Sequence, residues 1–175
     1  MNKIKKILID NKLYNQIIDN CQNDLIENER DDHQSFGIIV GKINGVQAEV
    51  IQHFPLKRNY RLNSNISQCY TQKLCELGYP GELQIERRGW VSDPIELIEV
   101  IKSCNELNLE FIGGYHMHHD ESWSGPEDKR IPSKLDKELV KNSGEMVFVV
   151  SILKKERAIR CFYEGNEEIK IVRRS

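Results

Sequence analysis

The run Met146-Val147-Phe148-Val149-Val150-Ser151-Ile152-Leu153 is nearly continuous in apolar residues and constrains the fold more than any other segment. A strand of that composition has no face to show to water, so it must lie inside a sheet with cover on both sides. Other stretches supply its neighbours. Phe36 to Ile43 and Val46 to Phe54 are rich in β-branched residues, and Asn44-Gly45 between them is a strong two-residue hairpin signal. Leu109 to His118 reads as a further strand, and Ala158 to Tyr163 and Glu168 to Val172 follow the buried run across charged turns.

The cover has to come from helices. Leu13, Ile17, Ile18, Cys21 and Leu25 recur at helical spacing, which predicts an amphipathic helix over about Lys12 to Leu25, ending in the acidic run from Glu27 to Asp32. Asp93-Pro94-Ile95-Glu96 is a start signal: Asp as N-cap, Pro at the first helical position and Glu placed to complete a capping box. Leu97, Val100, Ile101, Cys104 and Leu107 give that helix its apolar face. A third capped helix is predicted from Ser133 to about Lys141, and part of another near Gln68 to Leu77, inside a less regular stretch from Pro55 to Trp90. Helices interleaved with a mostly antiparallel or mixed sheet predict an α/β sandwich. At 175 residues the chain fits one domain with a substantial core.

Composition excludes more than it selects. The 25 basic and 27 acidic residues leave a net charge of −2, so no global field points to nucleic acid or to an anionic membrane. Cys21, Cys69, Cys75, Cys104 and Cys161 are odd in number and lack CxxC spacing, the pattern of reduced, mostly buried thiols. Neither a signal peptide nor a membrane-spanning run is apparent, and a cytoplasmic protein is expected.

The chemistry concentrates at His116-Met117-His118, which closes the strand that begins Phe111-Ile112-Gly113-Gly114-Tyr115. Residues two apart in a strand project to the same side, so both imidazoles can converge on one divalent ion. His119 falls on the opposite face. A carboxylate from the next helix would complete three protein ligands, the donor set of a catalytic rather than a structural zinc. Pro132-Ser133-Lys134-Leu135-Asp136 offers that carboxylate at Asp136. Ser133 and Asp136 also form a helix-capping pattern, and the two roles are compatible, since a helix start is a rigid support for a ligand.

The order of helix, Phe36-Gly37-Ile38-Ile39-Val40-Gly41 strand, hairpin, capped helix, Gly113-Gly114-Tyr115-His116-Met117-His118 and Pro132-Ser133-Lys134-Leu135-Asp136 resembles the prokaryotic branch of the JAMM (JAB/MPN+) zinc metalloprotease family. The resemblance runs from about Asp10 to Phe162 and is weakest over 55–90, which it marks as an insertion within a single domain, 1–175. It implies an α-β-α sandwich around a mixed β-sheet, of the cytidine-deaminase-like type. It further implies zinc (Zn2+) held by His116, His118 and Asp136, with Ser133 stabilising the oxyanion. The reaction implied is deubiquitinase-like hydrolysis of a peptide or isopeptide bond, releasing a ubiquitin-like or sulfur-carrier protein; no membrane or nucleic acid is implied as a partner. A scaffold module that keeps the arrangement without turnover is the rival reading.

This sequence departs from the family pattern in two places. Fourteen residues, His119 through Pro132, separate the second His from Ser133, more than the family usually has, which marks 119–132 as a lengthened active-site loop. Loop closure entropy grows slowly with length, so a site survives such an insertion. Ser124 with Glu127 is a competing, shorter frame, but Pro-Ser-x-x-Asp opens a helix where Ser-Gly-Pro-Glu does not. The second departure is Gln34, which aligns with the catalytic Glu. Glutamine keeps the size and hydrogen bonding of glutamate but cannot carry the proton, which reads as engineered or natural inactivation; Glu29, Asp31, Asp32 or His33 are the alternative bases.

Overall fold

The computed structural model describes residues 3–27, 34–79, 89–120 and 128–175. Its elements in chain order are β1 (Lys6–Asp10), α1 (Asn11–Glu27), β2 (Phe36–Asn44), β3 (Gln47–Leu56), a 3-10 turn at Tyr60–Leu62, α2 (Ser64–Glu76), α3 (Pro94–Glu106), β4 (Glu110–His119), α4 (Lys134–Leu139), β5 (Met146–Leu153), β6 (Glu156–Tyr163) and β7 (Glu167–Arg174).

These strands close into a barrel in the order β1-β3-β2-β4-β5-β6-β7. This corrects the expected α-β-α sandwich around an open mixed sheet. The cause is β1, a strand the sequence analysis did not anticipate. Its Lys-Ile-Leu-Ile-Asp stretch is only five residues long, yet it pairs in parallel with β3 on one side and with β7 on the other. A short strand just before a strong amphipathic helix carries little periodic signal, and its β7 partner lies at the far end of the chain. Nothing local announces the closure.

Ile17, Ile18 and Cys21 on α1 join inward side chains of every strand in one buried cluster that includes Ile7, Ile39, Tyr115 and Phe148. Each large apolar residue buried there contributes about 1.5–3 kcal/mol. On the outer face α3 covers β2 and β3 through Val100 against Ile38, Val40 and Leu56. Val140, just past α4, packs with Ile131 on Val147, Val149 and Phe162 of β5 and β6. The run that opened the analysis is β5, buried from Met146 through Ile152 and covered on both faces as its composition requires.

Details of the elements sharpen several expectations. The hairpin turns on Gly45 and Val46 rather than on Asn44 and Gly45, because Asn44 still pairs with Gln47. Gly45 alone has a positive φ, of 62°, the signature of a type II′ turn with glycine first. Asp93 caps α3 by accepting from the Ile95 and Glu96 amides. Glu96 does not complete the expected capping box; its carboxylate accepts instead from the Lys57 and Arg58 amides, tying the end of β3 to the start of α3. Cys21 and Cys161 are buried, whereas Cys69 and Cys75 are exposed, so fewer thiols are hidden than expected.

The glycines of β4 are not equivalent. A Cβ on Gly113 would lie 2.0 Å from the Met146 carbonyl oxygen, whereas a Cβ on Gly114 would meet nothing nearer than the Gly37 carbonyl oxygen at 3.7 Å. Gly113→Ala therefore forces β4 and β5 apart and is expected to destabilise by about 2–3 kcal/mol, the range of overpacking. Gly114→Ala should change stability by less than about 1 kcal/mol. Urea unfolding midpoints at unchanged slope check both.

Candidate metal centre

Among the described residues, α3 and the α4 region cover neighbouring strands and leave a gap between them on the outer face of β4. A cleft of about 280 Å³ lies there, with Phe111, Gly114 and His116 among its lining residues together with Trp90, Leu97 and Leu139. Tyr115 and Met117 belong to the inner core, so alternation places His116 and His118 outward, toward the cleft side. Both are nonetheless buried.

The two rings converge. His116 Nε2 lies 3.1 Å from His118 Nε2, with the rings at 63°. Asp136, in the first turn of α4, brings Oδ2 to 3.4 Å from His116 Nε2. The ligand atoms of His116, His118 and Asp136 all lie within 4.8 Å of one another. Tetrahedral zinc with bonds of about 2.0–2.2 Å needs ligand atoms roughly 3.3 Å apart, so the nitrogen and oxygen donors fit that ion with little movement.

The surrounding bonds fix each ligand. His118 Nδ1 lies 3.1 Å from the Lys129 carbonyl oxygen and donates its proton there, which leaves Nε2 with its lone pair toward the centre. Ser151 Oγ donates to the same carbonyl at 3.0 Å and so steadies it. Asp136 is fixed by a full capping box: Ser133 N donates to Asp136 Oδ2 at 2.6 Å and Asp136 N donates to Ser133 Oγ at 3.2 Å. The capping and ligand roles coexist in this one carboxylate. Phe36, opposite His116 in the β2–β4 register, stacks on the His116 ring at 5.9 Å and is itself stacked on Trp90 at 4.6 Å.

Electrostatics couple the three groups. Burial alone would lower the His116 pKa, but the adjacent Asp136 carboxylate overcomes this and holds it above the usual 6.5. Burial likewise opposes charge on Asp136, yet His116, with the bond to Ser133, holds the carboxyl well below the usual carboxylate range. Burial and then the neighbouring His116 charge push His118 down to about 4. The Asp136 carboxylate thus favours a proton on His116, while burial and His116 disfavour one on His118. A divalent cation would take the place of the His116 proton.

Gln34 falls on the same side. Continuing the Phe36 to His116 register places it across from His118, with its side-chain oxygen shielded from solvent. His119 points the other way, into a cavity lined by Gln22, Leu25 and Ile26 of α1. Ser124, Glu127 and the alternative bases Glu29, Asp31, Asp32 and His33 lie outside the described residues, as does the 121–127 part of the 119–132 loop. Sequence reasoning missed Phe36, Trp90 and Ser151. The last carried a signal, because a hydroxyl inside an otherwise apolar buried run needs a buried acceptor.

The fold and the donor set define a closed mixed β-barrel carrying a His-His-Asp cluster at the end of one strand. No family model matches the sequence, and no curated protein matches it. Among solved structures, the chain is similar to the solution structure of protein DSY2949 from Desulfitobacterium hafniense, a structural-genomics target. The identity is 17% and the TM-score 0.63, over 97% of this chain and 93% of that one. At that identity the likeness speaks for the fold.

Zinc titration is expected to show one tight site that His116→Ala, His118→Ala or Asp136→Asn removes, read by elemental analysis after gel filtration. Ser151→Ala, which loosens only the carbonyl behind His118, should weaken zinc binding by about 10- to 100-fold. Because the His116 pKa is raised and that of His118 lowered, zinc binding near pH 6.5 should be accompanied by proton release, from His116 rather than His118. Apparent affinity then falls as the pH drops below neutrality. Calorimetry in buffers of different ionisation enthalpy measures the proton.

Proposed function

We propose that this protein is a zinc-dependent peptidase or isopeptidase of the JAMM type. Its substrate would be a ubiquitin-like or sulfur-carrier protein released from a conjugate or precursor, with Gln34 standing where the catalytic glutamate would stand. The observation that carries this is the convergence of His116, His118 and Asp136 within 4.8 Å, with Ser133 capping the helix that delivers Asp136. The reading rests on the site alone, since the sandwich implied by the resemblance is not the fold of this chain.

Zinc, when bound, supplies a Lewis acid that polarises a carbonyl oxygen and lowers the pKa of water beside it. The rest is the work of the chain. The cleft over Gly114 binds an extended segment with its carbonyl toward the histidines. Ser133 Oγ accepts from the Asp136 amide, which leaves its hydroxyl proton to donate to the oxygen that gains charge in the transition state. The residue at 34 must take a proton and pass it to the leaving amine, and a carboxamide cannot. Losing such a group costs on the order of 10²- to 10⁴-fold in rate. The Gln34 form thus binds metal and substrate and turns over slowly, if at all.

Among the described residues no helix is long and apolar enough to cross a membrane. A cytoplasmic setting in a prokaryote accords with this reading.

The test is cleavage of a ubiquitin-like fusion by zinc-loaded Gln34→Glu. A rate at least about 10² times that of the parent chain is expected, and Asp136→Asn in the same background should abolish it. Absence of both zinc and cleavage would overturn the enzyme in favour of a binding module.

A further inference from the structure

Residues 34 and 35 point to opposite faces of the sheet, so whatever fixes Ser35 also fixes the side chain at 34. Ser35 is 1% exposed, and its Oγ donates to Asp24 Oδ2 on α1 at 2.6 Å. Its carbonyl oxygen accepts from Met117 N at 2.9 Å, between the two histidines of β4. Asp24 is held in turn, because Lys57 Nζ donates to its Oδ1 at 2.8 Å. One carboxylate therefore joins the last turns of α1, the approach to β2 and the chain leaving β3. A buried hydroxyl bonded this way resists rotation, since turning it away would strand both the hydroxyl and the carboxylate.

We propose that Asp24 and Ser35 are positioning residues that hold the side chain at position 34 against the metal centre. The inference rests on reading His116, His118 and Asp136 as metal ligands. Neither residue touches the ion or the substrate. Each acts by locking the strand that presents residue 34, so that its reach to the cluster is set from the inner face of the sheet. Phe36, stacked on His116, fixes the strand on the far side of Ser35, and the pair of anchors holds the backbone so that residue 34 presents its side chain to the face of the histidines.

The experiment uses the full chain loaded with cobalt(II), with the Gln34 side-chain amide followed by NMR. The parent should show that amide strongly broadened by the paramagnetic ion. Ser35→Ala should bind cobalt equally well but lose most of the broadening, and Ser35→Thr, which keeps the hydroxyl, should restore it. Asp24→Ala removes the clip without altering the strand and serves where Ser35→Ala does not fold. In zinc-loaded Gln34→Glu, either alanine variant should lower kcat by about 10²-fold, the cost of a misplacement near 1 Å, with KM and zinc content unchanged. A merely structural role predicts a lower unfolding midpoint with Gln34 broadening unchanged, and that result overturns the proposal while sparing the metal reading. No cobalt binding by the parent chain overturns both.

Discussion

The alternation of β4 is the constraint on which the rest of the structure depends. Tyr115 and Met117 are committed to the core around α1, and this forces Gly114, His116 and His118 onto the outer face; Ile112 also turns inward because the β2–β4 register shifts beside it. Among the described residues, that face is closed over β2 and β3 by α3, and over β5 and β6 by the α4 region, but not over β4 itself. The gap is the cleft, and the histidines stand at its end because the strand does. A slip of one residue in register would bury the imidazoles against Ile17 and expose Tyr115 and Met117, so the core that stabilises the barrel also enforces the site.

Asp136 concentrates the electrostatic consequences. One buried carboxylate accepts from the Ser133 amide, completes the cap of α4 and faces His116. Buried charges are costly unless paired, and removing one partner is more damaging than never having had the pair. His116 is the partner of Asp136, whose carboxylate favours a proton on that buried ring. His118, with its Nδ1 proton given to the Lys129 carbonyl, is held neutral. A divalent ion at this point would serve all three groups at once.

Most of the site was legible in the sequence, because its determinants are local. The i, i+2 spacing of His116 and His118 is strand geometry, and Pro-Ser-x-x-Asp is a helix start wherever it occurs. Joining the two across fourteen intervening residues followed from the donor set a catalytic zinc needs, and the choice of Asp136 over Glu127 from helix-capping physics. The barrel was not legible. Its closure depends on Lys6–Asp10 pairing with Gln47–Leu56 and with Glu167–Arg174, contacts between distant segments that leave no periodic trace in five residues. The one-residue shift of the hairpin turn has a similar origin. Gly45 satisfies a type II′ turn as readily as Asn44-Gly45 satisfies type I′, and the pairing of Asn44 with Gln47 decides between them.

Each candidate ligand has supports of its own. His118 is oriented by the Lys129 carbonyl, Asp136 by the capping box, and His116 by Asp136 and the Phe36 ring. None of these contacts involves the Gln34 side chain. On the proposed reading, an exchange of carboxylate for carboxamide at that position would change what the centre can do with a proton while sparing these contacts. Ion binding and turnover would then be separable. The histidine pair would hold the ion, and the residue across from it on the neighbouring strand would decide whether the site is a catalyst.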